Sequence, residues 1–187
     1  MRTSRLPLLA VILLAAACGA GDADLKFDEA LPGDVRELAR KTWNRFAATF
    51  PDRLDCIPDV TLVGAWELDE KAVYEPDTAT IYLRIPGTAG QLETSLVHEF
   101  GHHLDSHCSE QGTLRNEFMM AQGVDSTIEW STCPDGSAWE DIPAEQFAEA
   151  TVLAVLDYRL ANRHMPISPE AVELVRRWGG GDQDRQP

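Results

Sequence analysis

From Asp34 to about Phe50, apolar residues recur at helical spacing, with Val35, Leu38, Ala39 and Phe46 on one face. Asp34 with Glu37 opens this helix and Pro51 ends it. Val60 to Trp66 and Ala79 to Ile85 are β-rich runs separated by polar and turn residues, a pattern that predicts two adjacent antiparallel strands. The second run leads through Pro86-Gly87 into Thr88-Ala89-Gly90-Gln91, a capping box that starts a helix. On that helix Leu96, Val97, Phe100 and Leu104 share one side, which leaves the opposite side polar. Gln111 to Ala121 reads as a further helix, and Gln122 to Ile142 as a long loop of the kind that is usually functional. Pro143 suits the first position of a strongly apolar helix running to about Ala161, and Ser168-Pro169 opens a last helix that stops near the glycines at 179 to 181. Without internal repeats, these elements predict one α+β domain over 34–178, followed by a frayed tail at 179–187.

The first residues follow a different pattern. Arg2 and Arg5 precede an apolar run from Leu6 to Ala17, the length of a signal-peptide core and too short to span a bilayer comfortably. The run ends in Ala15-Ala16-Ala17-Cys18-Gly19, which resembles a bacterial lipoprotein box. That resemblance implies removal of 1–17, a lipid on Cys18 as the membrane anchor, an acidic tether over 18–33, and an extracytoplasmic location. Ordinary signal cleavage and secretion is the alternative. A net charge of −15 keeps such a protein soluble and monomeric. It also argues against nucleic acid as a partner, since no basic stripe is present. With Cys18 lipidated, Cys56, Cys108 and Cys133 leave one disulfide and one spare thiol, the pairing being open.

The polar side of the central helix carries His98-Glu99-Phe100-Gly101-His102. Residues four apart on a helix differ by about 40° in direction, so His98 and His102 can hold one ion while Glu99 points beside it, where a general base belongs. A hydrolytic zinc needs a third protein ligand and an open position. The metzincin continuation is excluded because Asp105 and Cys108 stand where it requires Gly and His. The best remaining donors are Glu145 and Glu149, stacked on one face of an apolar helix that otherwise has little reason to carry carboxylates.

Together, His98-Glu99-Phe100-Gly101-His102 and Glu145-Gln146-Phe147-Ala148-Glu149 resemble the gluzincin class of zinc metallopeptidases, and most closely the anthrax-lethal-factor-like peptidase domain, over roughly Ala79 to Arg159. The resemblance implies a small zincin-like fold with a short antiparallel sheet. It implies zinc on His98, His102 and Glu145, Glu99 as the base, and supporting roles for Asp105 and Glu149. It also implies that Thr80 to Arg84 is the cleft-edge strand that pairs with an extended peptide substrate. The tyrosine that this group places before its third ligand has no counterpart, since Ser137, Ala138 and Trp139 stand there, and Tyr158, His103 and His164 are the candidates to steady an oxyanion instead.

The expected function is therefore zinc-dependent peptide-bond hydrolysis, with Asp105 and Glu149 orienting the histidines through their second ring N–H. Two rival readings are a non-catalytic, zinc-stabilised envelope lipoprotein acting as a binding module, and a metal-scavenging lipoprotein. Neither needs a carboxylate at position 99, between two ligands.

Overall fold

A computed structural model describes residues 23–108, 111–131, 138–160 and 164–180. Residues 1–22, which include Cys18, lie outside the described residues, as do Cys133 and the tail from 181. The elements in chain order are β1 (Leu25–Phe27), α1 (Gly33–Thr49), β2 (Val60–Ala65), β3 (Ala72–Glu75), β4 (Thr80–Arg84), α2 (Ala89–His107), α3 (Gln111–Gln122), α4 (Pro143–Leu156) and α5 (Pro169–Gly179).

The class is α+β, but the sheet is mixed rather than antiparallel. Its order is β1-β2-β4-β3, with β1–β2 and β2–β4 parallel and only β3–β4 antiparallel. The chain leaves β2, forms β3 on the outside, turns through Pro76–Thr78 with Ala79 in the left-handed region, and re-enters between β2 and β3. This return makes β4 parallel to β2, where a direct hairpin would have made it antiparallel. The expected tether is also shorter than 18–33: Ala23, Leu25 and Leu31 are buried in the core, and β1 adds a strand beside β2.

Along β2 and β4 the side chains alternate, so Val60, Leu62, Ile81 and Leu83 are buried while Tyr82 is exposed. This apolar face meets one side of α2, whose Leu96, Phe100 and Leu104 are fully buried. Each such side chain contributes about 2 kcal/mol of burial free energy. Trp43 and Phe46 of α1 stack against Phe100, with ring centroids 5.0 and 5.2 Å away, and pin the middle of α2. The capping box is formed: the Gln91 N–H donates to Thr88 Oγ1 and the Thr88 N–H to Gln91 Oε1. At the other end Cys108 caps α2 and is joined to Cys56, which settles the open cysteine pairing.

The contact that sets the site is between α2 and α4. Gly101 lies where the two helices meet, and a Cβ there would sit 3.0 Å from Ala148 Cα and 3.3 Å from Thr151 Cβ. The absence of a side chain lets the helices approach closely and brings the first turn of α4 to the polar side of α2. We expect Gly101→Val to destabilise the domain by about 1–3 kcal/mol through overpacking. It should also weaken metal binding by spreading the helices. Thermal unfolding with and without metal reads both effects, and wild-type behaviour in both would show that this approach is not needed.

Candidate metal centre

His98 and His102 lie one turn apart on α2, and Pro143 starts α4 so that Glu145 falls in its first turn. His98 Nε2, His102 Nε2 and Glu145 Oε2 form a small triangle with sides of 3.0, 3.1 and 3.3 Å. They are the three groups that can hold one metal ion among the described residues. Glu149, one turn deeper in α4, lies with Oε1 3.1 Å from His98 Nδ1. With the proton on Nδ1 donated to Glu149, a neutral His98 presents the lone pair of Nε2 to the Glu145 carboxylate. Two acceptors aimed at each other at this distance require a proton or a cation between them.

The electrostatics agree with this geometry. Burial disfavours a charged His98, yet the Glu145 and Glu149 carboxylates outweigh it and raise its pKa. Burial would raise Glu145, but the adjoining His102 and His98 rings hold it well below the usual carboxylate range. Glu99 is buried beside them, and desolvation raises its pKa while His98 and His102 pull it down. The backbone N–H of Tyr74, a residue of β3, also favours the charged Glu99 carboxylate. Trp139 stacks on the His98 ring, with centroids 5.9 Å apart. Arg159 sits 3.7 Å from the second oxygen of Glu149. These groups open onto a cleft of about 680 Å³.

Four expectations change. Asp105 orients neither histidine: it accepts from Arg115 Nε at 2.9 Å and Trp130 Nε1 at 2.8 Å, and so ties α2 to α3 and to the loop before α4. Three residues beyond His102 its side chain has turned toward α3, out of reach of the ring N–H groups. Thr80 to Arg84 is not the edge of the cleft, because β4 is bonded on both sides. The edge is β3, whose Ala72, Val73 and Tyr74 line the cleft. Tyr158 is hydrogen-bonded to Glu93, and neither it nor the exposed His164 lines the cleft. His103 faces away from it, with Nε2 donating to the Pro58 carbonyl at 3.0 Å.

Tyr74 escaped the sequence reading, and its role follows from that last bond. With Nε2 of His103 committed as a donor, Nδ1 accepts from the Tyr74 hydroxyl at 2.8 Å, and the tyrosine oxygen in turn accepts from His107 Nε2 at 2.8 Å. The chain Pro58–His103–Tyr74–His107 fastens the edge strand to the back of α2. Its only signal in the sequence was the short alternation Val73-Tyr74-Glu75, lost among flanking charges.

Burial lowers the His103 pKa to about 4, with the Pro58 carbonyl opposing and His107 adding to the fall. The folded state therefore binds fewer protons than the unfolded one between about pH 4 and the ordinary histidine value of about 6.5. The stability from neutral His103 is complete above about pH 6.5 and is lost as pH falls toward 4, by about 3 kcal/mol in all. Unfolding of wild type and His103→Gln across this range should show a shallower pH slope for the variant; equal slopes would remove His103 from the account.

No family model, no curated protein and no solved structure matches the chain, so the site is read from its own residues.

Proposed function

We propose that this protein is a zinc-dependent peptidase with a zincin-like arrangement of helices and edge strand. The observation that carries the reading is the triangle of His98, His102 and Glu145 with the buried Glu99 beside it, at the mouth of a cleft bordered by a strand edge that is unpaired among the described residues. Tetrahedral zinc with bonds of about 2.0–2.1 Å separates its ligand atoms by about 3.3 Å, and the donors here stand 3.0 to 3.3 Å apart. Two imidazoles and one carboxylate are also the usual protein ligands of a zinc that keeps a position open. The lipoprotein-like start supports action outside the cytoplasm, with Cys18 as the proposed lipid anchor.

When bound, zinc supplies a Lewis acid for the scissile carbonyl and lowers the pKa of water to about 7. Glu99 takes a proton from the attacking water and returns it to the leaving amine nitrogen. Its raised pKa suits both halves of that task. Tyr74 anchors β3 to α2 beside the Glu99 carboxylate, so an extended peptide laid along β3 comes to rest beside the base. Glu149 fixes the His98 tautomer, and Arg159 stands 3.7 Å from its second oxygen.

The mature protein should hold one zinc per chain. His98→Ala and Glu145→Ala should lose most metal affinity, while Glu149→Ala should weaken it by about 10- to 100-fold. Metal analysis with zinc titration reads this order, and a metal-free Glu149→Ala beside a normally binding Glu145→Ala would reverse the two assignments.

Glu99→Gln should keep zinc and lose about 10²- to 10⁴-fold in kcat, read by cleavage of a peptide library. Equal rates for the two forms would end the role of Glu99. A zinc-loaded wild type that cleaves no peptide would turn the reading toward a binding module.

A further inference from the structure

Beside the large cleft lies a recess of about 30 Å³, bounded by Pro86, Gly87, Gln91 and Leu92 and sharing Lys71, Arg84 and Ser95 with the cleft. Among the described residues no carboxylate lines the recess, although Asp69 and Glu70 border the cleft outside it. In a chain of net charge −15 most cations have carboxylate partners, as in the pairs Arg40–Asp24, Arg45–Glu93, Arg115–Asp105 and Arg176–Asp157. Lys71 and Arg84 have none among the described residues. Arg84 donates from Nη1 to the Asp69 main-chain carbonyl at 2.9 Å, which holds the guanidinium in place without neutralising it. Two uncompensated cations therefore meet in one recess on an otherwise acidic molecule.

The position of the recess relates it to the metal-binding face. Ser95 and Gln91 precede His98 on α2 by three and seven residues. At 1.5 Å of rise per residue the recess begins about 5 Å along the helix and extends to about 10 Å. An extended peptide advances about 3.3 Å per residue, so a group bound in the recess belongs two or three residues from the bond at the metal. Lys71 also adjoins β3, the strand along which such a peptide would run. The space accommodates the head of a carboxylate, and a guanidinium fork beside an ammonium is a suitable pair of donors for it. Asp69 and Glu70 are exposed and solvated, so their opposing charge is screened at the recess.

We propose that Lys71 and Arg84 form a carboxylate-binding subsite, which makes peptides with an acidic group two or three residues from the cleaved bond the preferred substrates. The carboxylate is that of an Asp or Glu side chain or of a free C-terminus. This inference rests on the peptidase reading for its catalytic consequence, but not for the binding it describes.

The test uses the zinc-loaded mature protein and quenched fluorescent peptides that differ in Glu or Gln at the second and third residues on either side of the cleavage point, each as free acid and as amide. Acidic peptides should be cleaved with kcat/KM about three- to tenfold above their neutral counterparts. Lys71→Gln should abolish the difference and Lys71→Glu should reverse it in favour of the Gln peptides. Lys71 is exposed, so both variants should keep their fold, as zinc content and thermal unfolding would verify. A preference that follows the free acid and not the Glu position identifies the C-terminus as the source. Binding of the same peptides, labelled, to Glu99→Gln forms a second arm. Cleavage without acid preference overturns the subsite and leaves the peptidase standing. Lys71-dependent binding of acidic peptides without cleavage by wild type supports the subsite and overturns the peptidase. Neither cleavage nor Lys71-dependent binding overturns both.

Discussion

The whole arrangement depends on how closely α2 and α4 can approach. Gly101 removes the one side chain that would hold them apart, and Ala148 faces it with the smallest side chain that still favours a helix. At that separation the first turn of α4 reaches the polar side of α2, and Glu145 falls between His98 and His102 rather than in solvent. The rest of the fold can be understood as support for this crossing. α1 pins α2 through Trp43, Phe46 and Phe100, the sheet packs its apolar face on the same helix, and the Cys56–Cys108 link holds the helix end. A donor set that brings lone pairs face to face is unfavourable by itself, so it persists because packing elsewhere over-determines it.

A second constraint governs the strand at the cleft. A terminal strand of four residues bonded on one side has little stability of its own. Tyr74 compensates by joining β3 to His103 and His107 on α2, while its backbone N–H favours the charged form of Glu99. Burial lowers the pKa of both His103 and His107, which keeps each neutral and able to serve in the chain as acceptor and donor. One residue thereby links the strand at the cleft edge to Glu99 and to α2.

Helical features of this architecture were legible in the sequence because they are local. The Thr88–Gln91 capping box, the i,i+4 histidines, the Pro143 start and the two carboxylates of α4 are each set by spacing within one or two turns. The long-range features were not. Parallel pairing of β2 with β4 depends on a four-residue strand whose flanking charges hide its alternation, and β1 has only three residues. Asp105 shows the same limit: its place three residues after His102 fits a supporting role, and only the tertiary position of Arg115 and Trp130 assigns it elsewhere. The choice between Cys56 and Cys133 as partner for Cys108 likewise depended on where α1 delivers the chain.

Charge balance narrows what the site can hold. Glu99, Glu145 and Glu149 place three carboxylates around His98, and Arg159 beside Glu149 returns one positive charge. With neutral histidines the group carries two uncancelled negative charges in partly desolvated surroundings, where each is costly. A monovalent cation leaves one of them; a divalent cation cancels both. The imidazole nitrogens add a preference against Ca²⁺ and Mg²⁺, whose ligands are oxygens, and toward a borderline-soft ion such as zinc. Glu99 is the one carboxylate of the three with no histidine nitrogen within hydrogen-bonding distance among the described residues, so it is the one left free to exchange a proton.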